Sequence, residues 1–217
     1  VGVGDASQMA VGLLSESLAT VVSGLNVRDA ALPSGETPSV RLGAGCMASN
    51  DAVARLAGLP ASGYLLDVDD RGATVRANDA EGLRNGVLTL LQAWESHFAL
   101  TGEQAVPEMR VVDWPNMAIR AVSLPLPNSR WGHPNDPPAD PDMFLAFLHK
   151  TMVRTKMNMA VLIIHQAMRY ETHPAVAGPA AWSREDVKRV FDTLRRWGVE
   201  PVPHMNSLGH MNWLCIP

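Results

Sequence analysis

Leu13, Leu14, Leu18, Val21 and Val22 recur at three- and four-residue spacing, which predicts an amphipathic helix over about 7–23, stopping at Gly24. It follows a strand-like Val-Gly-Val-Gly start. Residues 39–42 read as a strand, and 51–57 as a short helix ending at Gly58. In the stretch GYLLDVDDRGATVRAND, apolar-rich runs at 64–68 and 73–77 flank Asp69-Asp70-Arg71-Gly72. Gly72 can take the positive φ of a tight turn, so the two runs predict a β-hairpin. Asp79 is placed to cap a helix whose Leu83, Val87, Leu90, Leu91 and Trp94 form one face. Gly82 and Gly86 lower the propensity of that helix and suit a close backbone approach.

The rhythm changes after a polar loop at 101–104 and an extended run at 108–112. Asp113-Trp114-Pro115 breaks any helix there. The domain boundary is placed at this break, giving domains of 1–112 and 113–217. The second opens with a strand at 118–124, a Pro-rich loop to Asp140 and a helix starting at Pro141 that buries Phe144, Leu145, Leu148 and Met152. A strand follows at 159–164. Ser183-Arg-Glu-Asp186 is a capping-box pattern for a helix with Val187, Val190, Phe191 and Leu194 on one face and Gly198 as its stop, and a third strand comes next. Apolar strands alternating with amphipathic helices predict a parallel sheet covered on both faces. The fold class is α/β.

Composition removes whole classes of function. The 217 residues are 47% hydrophobic and 18% charged, which indicates a globular chain and not a disordered or fibrous one. No apolar run approaches the roughly 20 residues of a membrane-spanning helix, and the start lacks a signal-peptide pattern, so a mature or trimmed soluble chain is expected. With 18 basic and 22 acidic residues scattered singly, the net charge of -4 gives no footprint for nucleic acid or an anionic membrane. Cys46 and Cys215 are isolated, with no CxxC spacing, which excludes a disulfide scaffold and a zinc finger. Only Lys150, Lys156 and Lys188 among the basic residues are lysines, an arginine bias expected of a GC-rich bacterial genome.

In parallel α/β folds ligands bind beyond the carboxyl ends of strands. Three polar clusters fall there. Arg120 lies in the first strand of the second domain, which leads to Asn128, Ser129, Arg130, Trp131 and His133. The next strand ends in His165-Gln166 and continues to Arg169, Tyr170, Glu171 and His173. The third runs PVPHMNSLGHMNW, with His204, Asn206 and His210. Trp131, Tyr170 and Trp213 accompany them. Aromatic faces with neutral hydrogen-bonding groups suit a sugar, whose C–H faces stack and whose hydroxyls need directional partners.

Other readings stand beside this one. A histidine after a strand often serves only as a hydrogen-bonded loop residue, and Arg120 in an apolar strand could simply pair with a structural carboxylate. His165, His204 and His210 could ligate zinc in a metal-dependent hydrolase, although these motifs bring no Asp or Glu to activate a water. A non-catalytic carbohydrate-binding protein is a third possibility. Met152, Met157, Met159 and Met168 read as core filler, and Gly2 and Gly4 complete no dinucleotide fingerprint.

GYLLDVDDRGATVRANDAEGLRNGVLTLLQ resembles the hairpin and helix of the α+β domain that precedes the barrel in family 20 glycoside hydrolases, the β-N-acetylhexosaminidases. Val112-Asp-Trp-Pro115 with Ile119-Arg120 is similar to the linker and first barrel strand. Lys156-Met-Asn158 and its apolar run are similar to the second strand, and Pro203 through Gly209-His210 to the third. The resemblance implies an α+β accessory domain followed by an incomplete (β/α)8 barrel holding three strands. It implies a glycan or amino-sugar substrate, no cofactor and no metal, and the export common among glycan-processing relatives. Arg120 would hold sugar hydroxyls, His210 would match the Pro-Gly-His histidine near the general acid, and His165, His204 and Asn206 would line or support the pocket.

The departures from the family pattern are specific. Ala121 stands for the usual glycine, Pro125 and Pro127 lie where an aspartate is common, and His165-Gln166-Ala167 replaces an acidic stretch. Pro203-His204 replaces Pro-Glu, and Leu208 the proline of Pro-Gly-His. Family members cleave through an Asp-Glu pair after the fourth strand, and no Asp-Glu dipeptide occurs here. The expectation is therefore a divergent N-terminal portion of such an enzyme, with no catalytic residues of its own and inactive alone.

Overall fold

The computed structural model of the chain describes residues 12, 39–42, 58–70, 72–103, 105–126, 140–211 and 214. They fall in two compact units, Val1–Ala118 and Ile119–Pro217. Of the helices expected at 7–23 and 51–57 only Gly12, which is helical, is among the described residues, and Arg71, Asn128, Ser129, Arg130, Trp131, His133 and Trp213 lie outside them.

In the first unit, strands β1 (Ser39–Leu42), β2 (Tyr64–Asp69), β3 (Gly72–Ala77) and β4 (Met109–Asp113) form an antiparallel sheet in the order β1-β3-β2-β4. β2 and β3 are the expected hairpin. Asp69 stands opposite Gly72, whose φ of 133° is open to a residue without a Cβ. Helix α1 (Ala80–Thr101) packs on the face that carries Tyr64, Val75 and Ala77. The Asp79 carboxylate caps it by accepting from the Gly82 N–H at 2.8 Å, and it also accepts from the Ser62 N–H at 2.7 Å, so one side chain ties the helix start to the loop before β2. The stripe read from the sequence is buried throughout, with Leu83 and Val87 sealed from solvent. A Cβ on Gly82 would stand 2.6 Å from the Gly63 carbonyl oxygen, and one on Gly86 2.4 Å from Val75 Cγ1. Both glycines therefore let the helix backbone lie directly on the sheet.

In the second unit, β5 (Ala121–Pro125), β6 (Met159–Ile163) and β7 (Glu200–His204) pair in parallel in chain order, with Ala121 opposite Met159 and Met159 opposite Glu200. Between β5 and β6 runs α2 (Pro141–Leu148), which continues as a π-helical turn over His149–Val153. Between β6 and β7 runs α3 (Arg184–Arg196). Asp140 caps α2 through the N–H groups of Asp142 and Met143. Ser183 caps α3 by accepting from the Asp186 N–H at 3.0 Å, while its hydroxyl donates to the Asp186 carboxylate at 2.7 Å.

The expected cover on both faces of this sheet is not what the described residues form. Two right-handed crossovers moving in the same direction put both helices on one face, because covering the other face needs a reversal of strand order. Arg189 of α3 pairs with Asp142 of α2, and Phe144 meets Trp182 edge-on at 5.6 Å, as neighbours on one side do. Ala160 and Leu162 are sealed on one face of β6, whereas Met159, Val161 and Ile163 are half-buried on the other, alongside exposed Ser123 and Pro125 of β5.

Candidate functional site

The strands β5 to β7 end at one edge, and their pairing runs one step further. Leu126 N–H donates to the Ile163 carbonyl and Ile164 N–H to the His204 carbonyl, each at 3.0 Å, which carries the chain to His165 beside His204. His165 opens a 3-10 turn, His165–Ala167, at a φ of 39°. A non-glycine residue in the left-handed region is strained and persists only where its surroundings hold it. Here they do. The Tyr170 hydroxyl donates to the His165 carbonyl at 2.5 Å, Gly178 N–H donates to the Gln166 carbonyl and Trp182 N–H to the Ala167 carbonyl, both at 2.8 Å. All three residues of the turn are buried.

Asn206 joins the two imidazoles. The rings of His165 and His204 lie 6.3 Å apart between centroids and are close to perpendicular. His204 Nε2 donates to Asn206 Oδ1 at 2.9 Å, and the Asn206 backbone N–H donates to His165 Nε2 at 3.3 Å. Accepting at Nε2 places the proton of neutral His165 on Nδ1. Burial lowers the proton affinity of His165 below the ordinary histidine value, and the fields of His204 and His210 lower it further. His210, exposed on the loop after β7, is itself left-handed at a φ of 53°. Burial also raises the phenol of Tyr170.

A pH dependence follows. The unfolded chain protonates His165 at the ordinary value of 6.5 and the folded chain only at a lower pH. Stability from this group is therefore complete above about pH 6.5 and declines as pH falls from there to the folded value. The urea midpoint of the second unit should drop between pH 7.5 and 5.5. His165→Asn, which tolerates the left-handed backbone, should flatten that drop; an equally steep drop in the variant would assign it to other groups.

The structure brings together His165, His204 and Asn206, with His210 within electrostatic reach. Arg120 is elsewhere. β5 begins at Ala121, so Arg120 precedes the strand at its amino edge, about 13 Å of extended chain from the carboxyl edge. Its Nε donates to the Lys156 carbonyl and its N–H to Asn158 Oδ1, both at 2.9 Å. Lys156 itself sits in the left-handed region, at a φ of 60°. Among the contacts of Arg120 here is a backbone carbonyl, where the sequence suggested a carboxylate. The positioning roles of Tyr170 and Gln166 had no periodic signal to announce them, since both act through the backbone of a loop. Among the described residues no group of three His, Cys, Asp or Glu side chains is arranged to hold a metal ion, and no helix is long and apolar enough to cross a membrane.

Residues 3–114 match the family model for glycosyl hydrolase family 20, domain 2. Among solved structures, the family 20 β-N-acetylhexosaminidase of Streptomyces coelicolor A3(2) superposes with a TM-score of 0.58 at 22% identity, over 73% of this chain and 35% of that one. A mutant β-hexosaminidase of Streptomyces plicatus in complex with its product GlcNAc gives 0.58 at 21%, over 73% and 34%. An inactive mutant of the family 20 exo-β-N-acetylglucosaminidase of Vibrio harveyi gives 0.62 at 12%, over 97% and 32%. At these identities the likeness is one of fold, and the chain spans about a third of each of these proteins. A search of curated proteins finds no match. With the family's domain 2 occupying more than half of its residues, the chain belongs to glycosyl hydrolase family 20.

Proposed function

We propose that the chain is the N-terminal part of a glycoside hydrolase that removes terminal N-acetylhexosamine from glycans by a substrate-assisted retaining mechanism. Residues 1–112 are its α+β accessory domain and 113–217 the first three strands of its (β/α)8 barrel. The observation that carries this reading is a sheet of sequential parallel strands, with a polar cluster beyond the carboxyl ends, following a family 20 domain. The GlcNAc held by the Streptomyces plicatus relative supports hexosamine as the sugar.

In such a mechanism the substrate's acetamido oxygen attacks the anomeric carbon, an aspartate orients that group, and a glutamate protonates the leaving oxygen. No Asp-Glu dipeptide lies in residues 1–217, so the pair belongs to the remainder of the barrel and this chain alone is inactive. His165, His204, Asn206 and His210 line or support the sugar pocket, and Arg120 keeps its structural bonds at the opposite edge. A zinc site at the same histidines is not favoured, because Nε2 of His165 and of His204 are both engaged with Asn206.

An aryl N-acetyl-β-hexosaminide tests this. The chain alone should release no phenol and the full-length protein should. Full-length protein that spares this substrate and cleaves other aryl glycosides would reject the sugar assignment, and release by the chain alone would reject the inactivity.

A further inference from the structure

Asn206 is tied on two sides, and the two ties respond differently to a proton. Its Oδ1 accepts from His204 Nε2 at 2.9 Å, a bond that a neutral and a protonated imidazole can both donate. Its backbone N–H donates to His165 Nε2 at 3.3 Å, and that bond needs the lone pair of a neutral ring. A proton on His165 sets two N–H groups against each other. We propose that this contact is a proton-operated latch: neutral His165 holds the loop 205–211 to the turn after β6, and protonated His165 releases it. The latch goes beyond the glycan reading and does not depend on it.

Packing decides which side of the contact gives way. The His165 turn is buried, and its three carbonyls are held in order by the Tyr170 hydroxyl, the Gly178 N–H and the Trp182 N–H. The loop is held more lightly. Met205, Ser207, Leu208, Gly209 and His210 are exposed, and a Cβ on Gly209 would meet no atom within 4 Å. The loop therefore pivots about the surviving His204 bond and carries His210 with it. Burial, with the fields of His204 and His210, keeps His165 neutral until the solution is acidic. The neighbouring elements contribute other charged and titratable groups. Tyr170 is a neutral phenol on the His165 carbonyl, Arg169 directs Nε to the Ala181 carbonyl, and His173 Nδ1 meets the Thr172 hydroxyl. Of the carboxylates, Asp140 caps α2, Asp142 pairs with Arg189, Glu171 pairs with Arg184, Asp186 accepts from Ser183, and Glu185 is exposed in the first turn of α3. β5 itself carries no titratable side chain.

NMR on the full chain tests the latch, with histidine titrations and backbone 15N relaxation followed together between about pH 4.5 and 8. Above the His165 midpoint the amides of Ser207, Leu208 and Gly209 should show order parameters of about 0.8, and below it about 0.6 or less. One unit below that midpoint the latched fraction should be about one-tenth. The loss of order should follow the titration of His165 and not that of His204 or His210. His204→Gln keeps an N–H donor for Asn206 Oδ1 and removes an opposing charge, so the His165 midpoint and the release should rise together. His210→Gln, an exposed change, should raise both by less. His165→Asn, which takes no proton in this range and tolerates the left-handed backbone, should leave the loop indifferent to pH. A loop equally ordered on both sides of the His165 midpoint overturns the latch. So does a release that stays in place while the His165 midpoint moves in His204→Gln, or one that survives unchanged in His165→Asn. Should His165→Asn not fold, the comparison of His204→Gln with the parent decides by the same criterion.

Discussion

Gly86→Ala is expected to destabilise the first unit by about 2–3 kcal/mol, read as a fall in its urea midpoint, although alanine has the higher helix propensity by about 1 kcal/mol. The added Cβ would lie 2.4 Å from Val75 Cγ1 and 2.9 Å from Tyr64 Cδ2, against the roughly 3.5–4.0 Å of a comfortable carbon contact. Neither neighbour can retreat. Val75 is buried in β3 between β1 and β2, and the Tyr64 hydroxyl is bound to Thr89 at 2.6 Å and to the Asp113 carboxylate at 2.9 Å. Thr89 belongs to α1 itself and Asp113 to β4, so the ring that blocks the new methyl is anchored to both layers. Relief must come from lifting α1 off the sheet, which opens the packing of Leu83, Val87 and Leu91. A Gly86→Ala variant as stable as the parent would mean that helix and sheet are not seated this closely.

The sequence carried this packing because glycines one turn apart on an apolar helix face have few other uses. Local chemistry was legible wherever a short run determines its own conformation: the hairpin at Gly72, the helix starts at Asp79, Asp140 and Ser183, and the apolar stripes of the three described helices, buried except for the half-buried Phe191 of α3. Strand limits were less so, because a strand begins where its partner begins. β5 was expected from residue 118 and starts at Ala121, opposite Met159, since β6 leaves a left-handed turn at Lys156 only then. Those three residues decide the fate of Arg120, which inside the strand would be a pocket candidate and outside it braces that turn. The histidines after β6 and β7 could be suspected from their positions. Their union through one asparagine, which uses its side chain toward His204 and its backbone toward His165, could not, because no spacing rule reports a bond between residues 41 apart in sequence.

Leu162→Ala should be the most damaging single truncation in the second unit, lowering its stability by about 3–4 kcal/mol. Leu162 is fully buried in the central strand, with β5 and β7 on either side, so the vacated volume cannot be filled by moving an edge. Val161→Ala, one residue away on the half-exposed face, removes apolar carbons from a site that never sealed and should cost about 1 kcal/mol or less. The contrast between neighbours is the measurement that matters, because it reads the inequality of the two faces directly. Loss at Leu162 should also reach the histidines. The next residue accepts from Leu126 N–H, and the one after donates to the His204 carbonyl, so slack in β6 passes into the turn that buries His165. As that burial is the leading cause of the lowered proton affinity of His165, its titration in the folded Leu162→Ala variant should move back toward the ordinary histidine value. Equal losses at positions 161 and 162 would instead mean that both faces are equally packed, and the inequality read between the sealed and the half-buried face of β6 would have to be abandoned.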